Sequence, residues 1–532
     1  MKSAPSLAAL AALVSAGLAA CGGDSNSSPS TATPAAEQLY AQKVPSCASG
    51  STPETALQGQ VPAALRASGF KGFNCNLTLV GQSLNEGGNW STASFTDGAG
   101  HTCAYHATAT PTPARVNPGV PVIDMTDRAN PTRVESLDTA SMVDPWESLR
   151  INARRQFLIG DNARDGAGGP EVDIYDVSGD CRSPQLMATL AVGTGQDGGI
   201  VPVTAVKPTP IGHEGNIAPD GLTYYVGDIT NGQYYAVDVA NTTKPKMIAA
   251  FDINTLGLGA TVHGMSVSND GTRMYGVILG GLATITTPAV AAPGNFSNGF
   301  AVFDTSQVQA RVPNAQIKLV SQTLWGDGTV AQATVPISVA GKPYMLMEDE
   351  GGSAGLAGDA AVAVACTANA DPFPVARLFD LSDETHPKEV SQMGLETHNP
   401  ANCAAIQPDV AGLSIFTYGS HYCSVDNRDN ATAIACSYFN SGIRVFDIRN
   451  PAVPKEIAYY NPAGTTTPSQ GSSHYKTGQW RAGGPDWCAS RLDFDFAKKQ
   501  LITMCQDNGL VILQFAANTW PFAESTPSLT QN

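Results

Sequence analysis

Charge is what this sequence has least of. Asp, Glu, Lys and Arg make up only 14% of its 532 residues, and the balance is acidic, with a formal charge of −16. A surface of that sign repels phosphate backbones, so nucleic acid is excluded as a partner. No Cys-x-x-Cys pair occurs, which argues against a redox motif or a zinc ribbon, and no His-Glu-x-x-His run supplies a helical zinc site. Beyond the first twenty residues no stretch is long and apolar enough to cross a bilayer. What is abundant is glycine and proline, 53 and 36 residues, the profile of a turn-rich β protein.

The N-terminus reads as an address. Lys2 precedes the apolar run LAALAALVSAGLAA at residues 7–20, which has signal-peptide length. It ends in LAAC at 18–21, which resembles the lipobox of bacterial lipoproteins. That resemblance implies cleavage before Cys21, acylation of its thiol and anchorage in the cell envelope, with Gly22 favouring the outer membrane. The lipid would then be the only membrane attachment. The expected organisation is a signal peptide at 1–20, a Gly/Ser/Pro-rich tether at 21–45, an extension at 46–72, a repeat domain at 73–516 and a polar tail at 517–532. Ten of the eleven cysteines remain after Cys21, enough for five disulfides in an oxidising compartment. Cys423 with Cys436 and Cys488 with Cys505 flank matching turns and are expected to staple hairpins.

The repeat domain announces itself through an aspartate. VPVIDMTDRANP carries Asp124, and later copies carry Asp176, Asp238, Asp304, Asp380 and, in IRVFDIRNPAVP, Asp447; GLVILQF places Gln514 there. Four copies add a second Asp or Asn three positions on and a proline at seven. Such a run reads as a buried strand ending in an Asx-stabilised turn. Upstream hairpins with Asp-Gly turns follow His213 and His263. Two hairpins per repeat and seven repeats predict an all-β, seven-bladed β-propeller of four-stranded antiparallel blades. CNLTLVGQSL at 75–84 is an outer strand without a blade, expected to complete the seventh and close the ring. The motifs resemble the LVIVD-repeat family over roughly residues 73–515, which implies a propeller and says little about activity.

Candidate function lies where the repeats differ. His213 and His263 begin inner strands, His421 stands in a comparable place, and His398 lies in the loop before it; Trp146 and Glu147 in DPWESL, and Asp486 and Trp487 in GGPDW, sit at equivalent blade ends. His213, Glu214, His263 and His421 can hold a transition metal, and one histidine beside a carboxylate can act as a base. Glu348, Asp349 and Glu350 offer hard oxygens suited to calcium, weighed against a solvated, flexible turn at Gly351-Gly352. Long insertions, one of which carries His474, Trp480 and Arg481, suit carbohydrate, a peptide or a small organic ligand. Two functions result: an envelope binding or interaction module using its long-loop face, and an exported, metal-dependent enzyme with a His/Glu site at the central channel. An envelope protein partner is the expectation of a third, purely structural reading.

Overall fold

The computed structural model describes residues 40–519 apart from 45, 85–89, 108–116, 163–171, 191–211, 281–285, 291–297 and 465–482. The signal peptide, Cys21, most of the tether, His474, Trp480, Arg481 and nearly all of the polar tail lie outside these residues.

Seven antiparallel sheets surround one axis as a seven-bladed β-propeller. Blade one runs from Thr92–Thr96 to Thr132–Leu137, and blade two from Arg150–Asn152 to Gln185–Leu190. Blades three, four and five begin with Glu214–Ile217, Ala260–Val267 and Val330–Val339, and blade six with Cys423–Val425. The first strands of neighbouring blades pack on one another, so they line the channel.

The repeated aspartate does the same work six times. One carboxylate oxygen accepts the backbone N–H two residues on, from Asp124, Asp176, Asp238, Asp304, Asp380 and Asp447 alike. The second Asx repeats the device at Asp127, Asn241, Asp383 and Asn450. These bonds satisfy turn N–H groups that no ladder reaches. Gln514 reverses the polarity, donating to the carbonyls of Lys498 and Lys499. Between its two outermost ring strands every blade also slips register once, a bulge that adds twist.

Blade seven joins both ends of the chain: Leu77–Ser83 pairs antiparallel with Gly509–Phe515, Leu77 opposite Phe515. The orphan strand at 75–84 is shared, however. Asn76, at φ 58°, breaks it, and Phe73–Cys75 adds a fifth strand to blade six. The extension before it is docked on blade six through Glu54 and Gln58, which meet Arg444 and Glu456.

Five disulfides form. Cys423–Cys436 and Cys488–Cys505 pair as the turn spacing suggests; Cys47–Cys75, Cys103–Cys181 and Cys366–Cys403 complete the set. The acidic run needs correcting as a solvated, flexible turn. Glu348, Asp349 and Glu350 lie in the strand Lys342–Gly351 and are buried. Strand alternation turns Asp349 away from its neighbours and onto Arg377, 2.7 Å away.

Candidate functional site: a histidine and carboxylate cluster at the channel

Local backbone irregularities aim the site's side chains. In blade four the register slips between Val262 and Met265, so His263 and Gly264 form a bulge. In blade five it slips on both sides of Ala331, next to Gln332. Bulges re-aim side chains that a regular strand would alternate. Gly264 is required by close approach: a Cβ there would lie 2.4 Å from Glu214 Oε2 and 2.7 Å from the Gln332 carbonyl. Ahead of blade two, Trp146 takes φ 46°, and the chain then presents Glu147 inward.

The result is a knot of imidazole and carboxylate. His213 Nε2 and His263 Nε2 stand 3.0 Å apart. Glu147 Oε2 is 3.2 Å from the first and 3.6 Å from the second. That oxygen is buried yet receives no well-aligned hydrogen bond. Gln332 Nε2 donates to the other oxygen, Oε1, over 3.2 Å. His421 Nδ1 faces the Ala489 carbonyl at 2.6 Å. A carbonyl only accepts, so Nδ1 carries a proton, and Nε2 points inward, 3.3 Å from Glu147 Oε1 and 3.1 Å from Gln332 Nε2. Glu350 closes the far side, its carboxyl 3.9 Å from both His263 Nε2 and His421 Nε2.

Beneath this layer Glu214 is gripped by other blades. Arg491 and Arg150 (3.4 Å) approach Oε1, and the Tyr422 hydroxyl donates to Oε2 over 2.8 Å. His263 Nδ1 lies 3.3 Å from that same oxygen. Glu214 therefore faces the outer nitrogen of His263, while Glu147 stands with the inner ones. Four buried carboxylic groups, Glu147, Glu214, Glu348 and Glu350, have two guanidiniums among them in the described residues, those of Arg150 and Arg491. The excess shows in the proton affinities. Burial, with the charges of Glu147, Glu214 and Asp349, pushes Glu350 well above the ordinary carboxyl range. Burial lifts Glu348 to about 8. Burial alone would raise Glu147 too, but the imidazoles of His213, His421 and His263 around its carboxylate hold it well below that range. Burial works against charge on His213, and Glu147 outweighs it, leaving the imidazole raised.

Of the residues singled out in the sequence, the structure brings together Trp146, Glu147, His213, Glu214, His263 and His421. Trp487 packs nearby, 5.7 Å from Phe416, and donates its indole N–H to Asn440. Asp486 is a buried brace, accepting the N–H groups of Trp487, Asp507 and Asn508. His398 is spent on the backbone: Nδ1 accepts from Leu395 N–H and Nε2 donates to the Pro374 carbonyl. Gln332 and Glu350 were not singled out as channel groups. Gln332 heads an inner strand where blades three and four carry histidine, which was the available signal.

Two glycine spacings in the sequence resolve without chemistry. GGSAG at 351–355 has the Gly-x-Ser-x-Gly spacing, but Ser353 lies in a turn closed by the Gly352–Gly355 bridge, and among the described residues no histidine bonds its hydroxyl. GTGQDG at 193–198 has the Gly-x-Gly-x-x-Gly spacing and lies outside the described residues, after the outer strand of an antiparallel blade.

No protein-family model matches the chain, and no curated protein matches it. Among solved structures it is similar to two proteins carrying the provisional name 6-phosphogluconolactonase. The one from Bacteroides fragilis is 11% identical, with TM-score 0.45, over 76% of this chain and 92% of that one. The one from Bacteroides uniformis is 11% identical, with TM-score 0.47, over 79% and 94%. Likeness at this level carries no argument about activity. The fold defines the class: a β-propeller, a scaffold that supports a binding or interaction module.

Proposed function

We propose that this chain is an exported, metal-dependent enzyme built on a propeller, anchored to the cell envelope through a lipid on Cys21. Its metal is a divalent first-row transition ion held by His213 Nε2, His263 Nε2 and Glu147 Oε2. One observation carries the reading: three donor atoms, on buried Glu147 and His263 and partly exposed His213, face each other at 3.0, 3.2 and 3.6 Å. Tetrahedral bonds of about 2.0–2.1 Å imply donor spacings of about 3.3–3.4 Å. Two imidazoles and a carboxylate favour such an ion over calcium or magnesium. The excess of buried carboxylate supplies the compensating charge.

Three protein ligands leave a coordination position open, as in catalytic rather than structural centres. An ion there polarises a bound oxygen or activates water. Glu350 and His421 border that space, where they can hold a proton or orient the ligand. Elemental analysis of the purified protein after equilibration with Zn²⁺ or Co²⁺ and extensive dialysis tests the proposal. One ion per chain is expected, lost in Glu147→Gln and His263→Ala. A parent protein that retains no transition ion would refute it, leaving the interaction module as the reading.

A further inference from the structure

Resting on that metal reading, we infer that the centre takes a planar aromatic ligand whose oxygen binds the ion and whose ring lies against Trp146 and Phe416, the partly exposed face of a wall that the buried rings of Trp90, Phe439 and Trp487 complete. These five rings come from separated parts of the sequence and gather on one side of the cluster. Trp146 lies 5.9 Å from the His213 ring and 5.4 Å from Trp90. Trp90, Phe439 and Phe416 lie 5.1, 5.0 and 6.0 Å from the His421 ring. Phe416 stacks on Phe439 at 4.7 Å, and Trp487 abuts both.

Two independent features mark this wall as more than filling. Trp146, Phe416 and Phe439 sit at φ 46°, 46° and 40°, and they are the only aromatic residues described with positive φ. A bulky side chain adopts that conformation at an energetic cost, and such strain concentrates at functional sites. The second feature is polarity. Trp90 Nε1 is buried and unpartnered, while the Trp487 N–H is already committed to Asn440 and the phenylalanines offer no polar atom. A polyol would leave most of its hydroxyls unmatched against such a surface. An aromatic ring with one or two oxygens stacks on it, directs oxygen to the ion, and can present an acceptor to Trp90. Trp146, Phe416 and His213 are the partly exposed members and mark the way in.

The test compares two chelators with one head group. Full-length protein is loaded with Co²⁺, and its visible spectrum is titrated with acetohydroxamate and with benzohydroxamate. Benzohydroxamate is expected to bind about tenfold more tightly, the gain of stacking one ring. Trp146→Asn deletes the indole while keeping a residue that tolerates positive φ, and should bring the affinity ratio close to one; Phe416→Asn provides a second variant. Equal affinities in the parent, or a ratio unmoved in both variants, overturn the inference while the Co²⁺ spectrum keeps the metal reading intact. Protein that never develops a Co²⁺ spectrum overturns both.

Discussion

Replacing Glu214 by glutamine removes one negative charge and almost no volume, which makes it a clean probe of the channel's electrostatics. The carboxylate is fully buried and, among the described residues, is the only acceptor bonded by the Arg491 side chain, whose guanidinium also lies over the Tyr422 ring at 4.0 Å. Arg150 is better insured, since it donates to the Ser91 hydroxyl and to the Glu147 and Leu149 carbonyls as well. Glu214→Gln thus strands chiefly one buried guanidinium, a defect costing about 3–5 kcal/mol. Unfolding entropy of about 2.1 cal/mol/K per residue gives roughly 1.1 kcal/mol/K for 532 residues. The expected fall in Tm is therefore about 3–5 °C by calorimetry under oxidising conditions. Adding Arg491→Met removes the stranded charge, so the double variant should recover at least about 1 kcal/mol of the loss. A single variant within about 1 kcal/mol of the parent, or a double variant as weak as the sum of its parts, would refute this account.

Two further predictions concern stability. Burial pushes the His398 imidazole down to about 4, and its ring nitrogens are fixed on the Leu395 N–H and the Pro374 carbonyl. Between that value and the ordinary 6.5 the unfolded chain binds a proton that the folded chain refuses, so stability falls as pH drops through this window. The contribution is roughly 3 kcal/mol; in denaturant titrations at pH 7 and pH 4.5, His398→Gln should show a smaller acid loss than the parent, and an equal loss would contradict the assignment. Cys103–Cys181 ties blade one to blade two across 78 residues. Loop-closure entropy assigns it about 4.5 kcal/mol; the double alanine variant should unfold correspondingly earlier in urea, and a midpoint matching the parent would show the link to be idle.

The fold was readable because its determinants are local and repeated. An apolar run, an aspartate and a proline sit within about ten residues, and each copy forms the same Asx-capped turn. The closing strand was readable as apolar residues with no blade to join, though Asn76 divides it between two blades through a left-handed backbone that asparagine permits. The site obeys other rules. His263 reaches the channel through a bulge, Gln332 lies beside another, and Glu147 follows a tryptophan with positive φ. Each is a departure from the repeat, so aligning repeats suppresses the feature that aims the side chain. Residue type alone could not separate His263, whose Nε2 meets only the side chains of His213, Glu147 and Glu350, from His398, whose two nitrogens the backbone consumes. Nor could it rank Glu147 against Glu214, since only the convergence of Arg150, Tyr422 and Arg491 makes Glu214 a counter-charge. The propeller's regularity brings inner-strand positions around one axis, and its irregularities decide which of their side chains meet there.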